Sequence, residues 1–218
     1  MNDLFGLDIK PDWYYSDRKE MVKFIPPNVT RMLDVGCGEG RFSQIIKSIL
    51  SVEVWGIEIY KAAAEKAKTV LDNVLIGDIE RGEITLPDDY FDCILFFDVL
   101  EHLHDPWTVL QNIGKSLKER GYIVASIPNI RHYEIVKDLV LYRRWEYESW
   151  GVLDKTHLRF FTASSIIKMF ERCGYNIITM EGIRGGKFPW KFGLLNRILL
   201  NSLDDMRYLQ FACVATKV

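Results

Sequence analysis

The chain has 218 residues, of which 28 are basic and 30 acidic, and its formal net charge is −2. This length predicts one domain, residues 1–218, and 48% hydrophobic residues are typical of a globular protein rather than a disordered or fibrous one. The charge provides no basic field for long nucleic acids, and no apolar run approaches the roughly 20 residues that cross a bilayer. The four cysteines lie far apart without metal or redox spacing, and nothing reads as a signal peptide, so we expect a cytoplasmic setting.

Short apolar runs alternate with segments of helical periodicity, which is the pattern of an α/β protein with a parallel sheet. Strands are predicted at residues 31–35, 53–57, 74–76, 91–97, 122–127, 176–181 and 208–216, and helices at 40–50, 60–71, 107–117 and 164–173. Prolines 26 and 27 mark the end of an N-terminal extension, residues 1–29. Two irregular insertions, 128–162 and 182–205, are expected on the side of the sheet where a substrate binds.

A glycine-rich loop, Gly36-Cys37-Gly38-Glu39-Gly40, follows the first strand and opens the first helix. Glycines at this point allow a tight turn and close approach of a ligand, so a nucleotide-like cofactor is the first hypothesis, and a purely structural turn is the alternative. A dinucleotide-binding loop has its third glycine where this chain has Arg41, which argues against a nicotinamide oxidoreductase.

Acidic residues end three successive strands: Asp34, Glu58 and Asp78. Glu58 stands where an acid can accept the hydroxyl protons of a ribose, and Asp78 where an acid can accept from the amino group of an adenine. Three carboxylates make a poor cradle for phosphates. The sequence therefore predicts a nucleoside ligand without a phosphate chain.

In this order the motifs resemble those of class I S-adenosylmethionine-dependent methyltransferases, over roughly residues 30–180. The resemblance implies S-adenosyl-L-methionine as cofactor and a Rossmann-like, doubly wound, seven-stranded, mostly parallel sheet with an antiparallel last strand. It also implies that the stretch 91–102 closes over the methionine end of the cofactor. The predicted cofactor-binding residues are Tyr15, Arg18, Asp34, Gly36, Cys37, Gly38, Gly40, Glu58, Ile59, Gly77, Asp78, Ile79, Asp98, Val99 and His102.

The aromatic and basic residues Tyr14, Tyr15 and Arg18 resemble the lid that covers the cofactor in many such enzymes. An aromatic face attracts a sulfonium ion, and a guanidinium pairs with a carboxylate. The alternative is that the aromatic residues of this extension cap the edge of the sheet.

All four histidines lie between the fourth strand and the last major helix. A hydroxyl acceptor needs a base, so we predict His157, oriented by Asp154, or His132 as the catalytic residue. The structural alternative for His157 is that it fixes the turn before the helix whose N-cap is Thr162. The short spacing of His102 and His104 in a turn predicts no metal site.

The leading hypothesis is O-methylation of a small molecule or a sugar-containing, glycan-type intermediate, with no nucleic acid as partner. The alternatives are an N-methyltransferase acting on a small amine and a non-catalytic S-adenosylmethionine-binding protein. Residues 187–203 combine aromatic, aliphatic and basic side chains, which suit peripheral membrane contact or a dimer contact, although packing against the last strand is favoured. Both a monomer and a homodimer are compatible with the sequence.

Overall fold

The architecture was obtained as a computed structural model, which describes residues 18–218. It contains one seven-stranded sheet whose strands are β1 (Arg31–Val35), β2 (Glu53–Glu58), β3 (Asn73–Ile76), β4 (Phe91–Phe97), β5 (Leu117–Pro128), β6 (Tyr175–Gly185) and β7 (Tyr208–Lys217). Their order is β3-β2-β1-β4-β5-β7-β6. Strands β1 to β5 are parallel, and β7 is antiparallel to both β5 and β6. The predicted sheet with an antiparallel last strand is confirmed.

Within residues 18–218, six α-helices flank the strands: α1 (Arg41–Ile49), α2 (Lys61–Ala67), α3 (Pro106–Ile113), α4 (Tyr133–Tyr142), α5 (Ala163–Arg172) and α6 (Trp190–Ile198). The four predicted helices are present. The third ends earlier than predicted because Leu117 already pairs with Phe91 in the sheet. The two insertions are more regular than expected, since 128–162 contains α4, and 182–205 contains the end of β6 and all of α6.

Local capping accounts for two of the helix starts. Asp105 accepts a hydrogen bond from the Thr108 amide at 3.1 Å at the start of α3, and Pro106 follows at the first helical position. Thr162 and Ser165 form a reciprocal capping box at the start of α5, which confirms the predicted N-cap.

Alternate residues of the central strands enter two different hydrophobic clusters. Leu33 and Ile94 point into one cluster, whereas their chain neighbours Met32 and Cys93 point into the other. All four are fully buried. This period of two, with both faces apolar, is what a parallel sheet covered on both sides requires.

The described part of the N-terminal extension packs onto the sheet. A 3-10 turn, Lys19–Phe24, buries Met21 and Phe24 in the cluster that contains Met32. Arg18 precedes this turn, whereas the predicted lid residues Tyr14 and Tyr15 lie outside the described residues. None of the helices in the described part of the chain is long and apolar enough to cross a bilayer.

The prediction that residues 187–203 pack mainly in the core is wrong for the outer face of α6. Trp190 is 74% exposed and Ile198 68% exposed. The buried residue of this helix is Asn196, whose side chain donates to Asp204 Oδ1 at 2.8 Å. Hydrogen bonding at Asn196 therefore contributes to holding α6 against the rest of the chain.

Candidate functional site

The glycine loop is built as the sequence predicts. Gly36, Gly38 and Gly40 have φ angles of +71°, +57° and +79°, in the left-handed region that side chains disfavour. The amides of Gly36 and Cys37 both donate to the Ile57 carbonyl, at 2.8 and 3.1 Å, which ties the loop to β2. A Cβ atom at Gly36 would lie 2.7 Å from Cγ2 of Val99, so the loop also presses against the segment after β4.

Glu58 ends β2 directly beside this loop. Its Oε2 accepts from the Gly38 amide and its Oε1 from the Tyr60 amide, both at 2.8 Å. The carboxylate is buried, and two backbone amides hold it in one orientation at the carboxyl edge of the sheet. A carboxylate in this position can accept hydrogen bonds from the hydroxyl groups of a ribose.

Asp34 lies beneath the loop rather than at its surface. Ser43 of α1 donates to Asp34 Oδ2 at 2.6 Å, and the side chain is buried. Burial raises the pKa of Asp34 to about 6, although the hydrogen bond from Ser43 opposes this shift. Burial also raises the pKa of the neighbouring Cys37 thiol. The hydrogen bond from Ser43 ties β1 to α1, the two elements that the glycine loop connects.

The end of β3 forms the second acidic position. Asp78 accepts from the Glu80 amide at 2.9 Å and lies 3.2 Å from Nε of Arg81. A Cβ atom at Gly77 would lie 2.9 Å from Ile84. Two apolar side chains border this region: Ile79 is partly buried, and Ile59 is 56% exposed. The combination of an acid and apolar surface suits an adenine ring.

Asp98, which follows β4, is the centre of a polar network. Its carboxylate lies 2.6 Å from Arg18 Nη1 and accepts from Ser126 Oγ at 2.9 Å and Gln210 Nε2 at 3.0 Å. Burial alone would raise the pKa of Asp98, but the Arg18 guanidinium and the Ser126 hydroxyl outweigh burial and lower it. Asp98 is therefore held as an anion, in a left-handed backbone conformation with φ +53°.

The turn after Asp98 brings three ionisable residues together: Glu101, His102 and His157. The His102 and His157 rings are 4.7 Å apart, and Nε2 of His157 lies 4.0 Å from Oε1 of Glu101. Burial and the charge of Asp98 raise the pKa of Glu101 well above its usual range. Burial, together with the neighbouring His157, lowers the pKa of His102.

The sequence predicted that the Asp154 carboxylate orients the His157 ring, but in the structure a backbone carbonyl does so. Its Nδ1 lies 3.0 Å from the Val152 carbonyl oxygen. The Asp154 carboxylate instead accepts from the amide and hydroxyl of Thr156, at 2.8 and 2.7 Å. These contacts form a tight turn, in which the side chain of Asp154 bonds to the residue two positions later in the chain.

His132 lies in a different environment. It precedes α4, its ring is 4.8 Å from that of Tyr133, and burial lowers its pKa. The structure does not bring the two predicted bases together, since no hydrogen bond or ring contact joins His132 to His157 in the described residues.

Three residues of the site were not singled out from the sequence: Glu101, Ser126 and Gln210. Glu101 directly precedes His102, and its place after an apolar strand could have drawn attention to it. Gln210 carries no comparable signal, because only the insertion of β7 beside β5 places it near Asp98.

Comparison with known proteins identifies the family of the chain. The methyltransferase-domain family matches residues 14–180, and the chain belongs to this family. A ubiquinone biosynthesis O-methyltransferase of Cereibacter sphaeroides is 26% identical over 182 residues, which cover 80% of this chain and 72% of the relative. An S-adenosylmethionine-dependent methyltransferase of Archaeoglobus fulgidus has a similar fold, with a TM-score of 0.65 and 20% identity over 91% of each chain.

Other relatives are longer than the region they share with this chain. A Mycobacterium tuberculosis relative, named as a probable S-adenosylmethionine-dependent methyltransferase, is 26% identical over 124 residues. The match covers 56% of this chain, and the chain spans about half the length, 45%, of that relative.

Family and relatives imply S-adenosylmethionine as the cofactor, and the donor set fits it. The glycine loop, Gly36 to Gly40, lies beside the Glu58 carboxylate, whose chemistry suits a ribose, and the Asp78 carboxylate suits the amino group of an adenine. Carboxylates at three strand ends would repel the phosphates of a dinucleotide.

Proposed function

We propose that this protein transfers the methyl group of S-adenosylmethionine to a hydroxyl oxygen of a small molecule or a sugar-containing acceptor. The acceptor would lie over the carboxyl ends of β4 and β5, where open α/β sheets bind their ligands. Two relatives support oxygen as the acceptor atom: the ubiquinone enzyme, and a 27-O-demethylrifamycin SV methyltransferase of Amycolatopsis mediterranei, 30% identical over 42% of this chain and 36% of the relative.

The observation that carries the proposal is the environment of His132. Within the described part of the chain, its ring nitrogens have no hydrogen-bond partner, and burial lowers its pKa. The imidazole is therefore neutral near pH 7, which is the form that accepts a proton from a hydroxyl. His132 follows β5, whose residue Ser126 contacts Asp98, so the base stands one loop away from the predicted cofactor pocket.

His157 is the second candidate for the base. The Val152 carbonyl can only accept, so Nδ1 of His157 carries a proton and Nε2 is the basic atom. That atom lies on the side of Glu101, and the side chain is only 6% exposed. His132 is equally buried, at 7% exposure of the whole residue against 8% for His157, but its ring nitrogens have no hydrogen-bond partner among the described residues, whereas Nε2 of His157 faces Glu101. We therefore assign the proton to His132 first.

When bound, S-adenosylmethionine supplies an electrophilic methyl group on a cationic sulfur, which leaves as a neutral thioether. The chain's own contribution is alignment of the acceptor oxygen behind that methyl group, exclusion of water and removal of the hydroxyl proton. His132 takes this proton as the new carbon–oxygen bond forms. An amine acceptor would attack through its own lone pair and would need no such base.

The test is a panel of phenols, catechols, nucleotide sugars and amines, assayed by release of S-adenosylhomocysteine. We expect a hydroxyl compound to be methylated, and His132→Ala to lower the turnover number by roughly 10²- to 10⁴-fold with unchanged cofactor affinity. His104→Ala is the matched control, because His104 is exposed. Methylation of amines alone, or full activity of His132→Ala, would contradict the proposal, and loss of turnover only in His157→Ala would transfer the role to His157.

A further inference from the structure

Glu101 has a buried carboxylate that no described residue satisfies. The residue is fully buried, and neither Oε1 nor Oε2 has a hydrogen-bond partner. Asp98 and Asp154, the other acids near this point, add negative charge. An unpaired carboxylate away from water is costly, and buried polar atoms of folded proteins nearly always have partners. The Arg18 charge acts on Glu101 from a distance but is paired with Asp98, so among residues 18–218 neither carboxyl oxygen of Glu101 has a hydrogen-bond partner of its own.

Two histidines face the same position. One ligand atom from each of Glu101, His102 and His157 lies within 4.8 Å of those from the other two. The chain fixes this arrangement, because the amides of Leu158 and Arg159 donate to the Glu101 carbonyl at 2.8 and 3.0 Å. The loop that carries His157 is thereby fastened to the turn that carries Glu101 and His102.

Both imidazoles have the same tautomer. Nδ1 of His157 contacts the Val152 carbonyl, and Nδ1 of His102 contacts the Thr156 carbonyl at 3.2 Å. A carbonyl only accepts, and the Thr156 hydroxyl, 3.1 Å from Nδ1 of His102, donates its own proton to Asp154 Oδ1. In each ring Nδ1 therefore carries the proton and Nε2 carries the lone pair. A backbone carbonyl on Nδ1 with Nε2 turned inward is the usual arrangement of metal-binding histidines.

We propose that Glu101, His102 and His157 bind one divalent transition-metal ion through a carboxylate oxygen and two Nε2 atoms. Two imidazoles with one carboxylate suit Zn²⁺, Mn²⁺, Fe²⁺ or Co²⁺ better than Ca²⁺ or Mg²⁺, which prefer oxygen ligands alone. Ligands about 2.0–2.2 Å from one ion are roughly 3 Å apart, so the distance of 4.0 Å between His157 and Glu101 shortens on binding.

This site goes beyond the proposed function, since it does not depend on whether the acceptor is a hydroxyl or an amine. From the sequence, the spacing of His102 and His104 predicted no metal site at this pair. The structure separates that pair, because His104 is exposed while His102 is turned toward Glu101 and His157. Three protein ligands leave coordination positions open for water or for an oxygen of a small molecule.

The experiment uses the full chain after chelator treatment and titrates it with Co²⁺, followed by visible absorption, and with Zn²⁺, followed by calorimetry. We expect one ion per chain and a visible Co²⁺ spectrum. Glu101→Gln and His157→Ala should weaken binding at least about 100-fold, whereas His104→Ala should bind like the unmodified chain. Glu101→Gln preserves the shape of the side chain, so it separates loss of a ligand from loss of the fold.

A thermal melt provides a second readout that does not involve methyl transfer. Saturating Zn²⁺ should raise the Tm of the unmodified chain and of His104→Ala but not that of Glu101→Gln, because an ion that binds only the folded state stabilises it. Absence of a one-to-one ion in the unmodified chain, or equal binding by Glu101→Gln, would overturn the site. Either result leaves the acceptor panel and the His132 variants unaffected.

Discussion

Arg18 and Asp98 form a buried ion pair that joins the N-terminal extension to the end of β4. Nη1 of Arg18 lies 2.6 Å from Oδ2 of Asp98, and the two side chains are only 11% and 12% exposed. Ser126 links the same pair to β5, because its hydroxyl accepts from Arg18 at 3.2 Å and donates to Asp98. The pair therefore couples the extension to the strands that border the predicted cofactor pocket.

Removing one partner of this pair should destabilise the fold. Arg18→Met or Asp98→Asn should each lower the free energy of unfolding by about 3 kcal/mol, because the other group stays buried without its counter-charge. The double variant should lose less than the sum of the two, and urea unfolding of all four proteins measures the difference.

The exposed pair Glu65 and Lys68 is the matched control for this cycle. Its side chains are 50% and 43% exposed, so solvent screens their attraction and we expect no measurable coupling. Strictly additive effects at Arg18 and Asp98 would show that the contact contributes nothing to stability.

Replacing Glu58 should weaken cofactor binding without unfolding the chain. Glu58→Ala removes a charged hydrogen-bond acceptor that two backbone amides hold in place. We expect the binding free energy of S-adenosylmethionine to fall by about 2–3 kcal/mol, which is a roughly 30- to 150-fold higher Kd. Calorimetric titration measures this Kd. Glu53→Ala is the control, since Glu53 begins the same strand and contacts Trp55 and Tyr90 instead. Equal affinities for the two variants would remove Glu58 from the ribose site.

The contact between Gly36 and Val99 predicts a partial rescue. Gly36→Ala places a Cβ atom 2.7 Å from Val99 Cγ2 and also strains a backbone with φ +71°, so we expect a loss of about 2–4 kcal/mol in stability. Adding Val99→Ala removes the clash but not the strain. In thermal melts, Gly36→Ala should therefore lower the Tm less in the Val99→Ala background than in the unmodified chain. An equal loss of Tm in the two backgrounds would mean that backbone strain alone matters.

Asp34 should make the protein less stable as the pH rises from 4 to 6. Its folded pKa of about 6 exceeds the value of 3.8 expected for an unfolded chain, so the folded state holds the proton more tightly. This contribution is fully present below pH 4 and is lost as the pH rises through 6. Relative to Asp34→Asn, the unmodified chain should lose about 2 kcal/mol between pH 4 and pH 7 in urea titrations.

Asp92 should have the opposite effect on stability, which should increase as the pH rises. It accepts from the Thr30 and Arg31 amides and lies 2.6 Å from Lys118 Nζ. Burial alone would raise its pKa, but these contacts lower it to about 2. Its contribution is present above pH 4 and is lost as the pH falls through 2. Against Asp92→Asn the unmodified chain should gain about 2 kcal/mol between pH 2 and pH 4, and a flat difference would contradict this environment.

Much of the cofactor side of the site is local in the chain and was predicted from it. The glycine loop needs only a strand, a tight turn and a helix in succession. Glu58 is the last residue of β2, and Asp78 follows the end of β3 by two residues. Because parallel strands end at one edge of the sheet, the order of these motifs was enough to bring them near one another.

Helix α6 shows where this reasoning failed. Its aromatic and aliphatic residues resemble a core segment in sequence, yet Trp190 and Ile198 are exposed and Asn196 is buried. Periodicity identifies which residues share a face, but it does not reveal which face finds a partner in the folded chain.

The remaining contacts were decided by tertiary structure. Gln210 reaches Asp98 only because β7 lies beside β5, and His157 reaches Glu101 only because a loop before α5 hydrogen-bonds to the turn after β4. Alternation and capping act over a few residues and leave a trace in the sequence, so the strands, the glycine loop and the strand-end acids could be predicted. Pairing of distant segments depends on the packing of the whole sheet, so the Asp98 network and the Glu101 cluster emerged only from the fold.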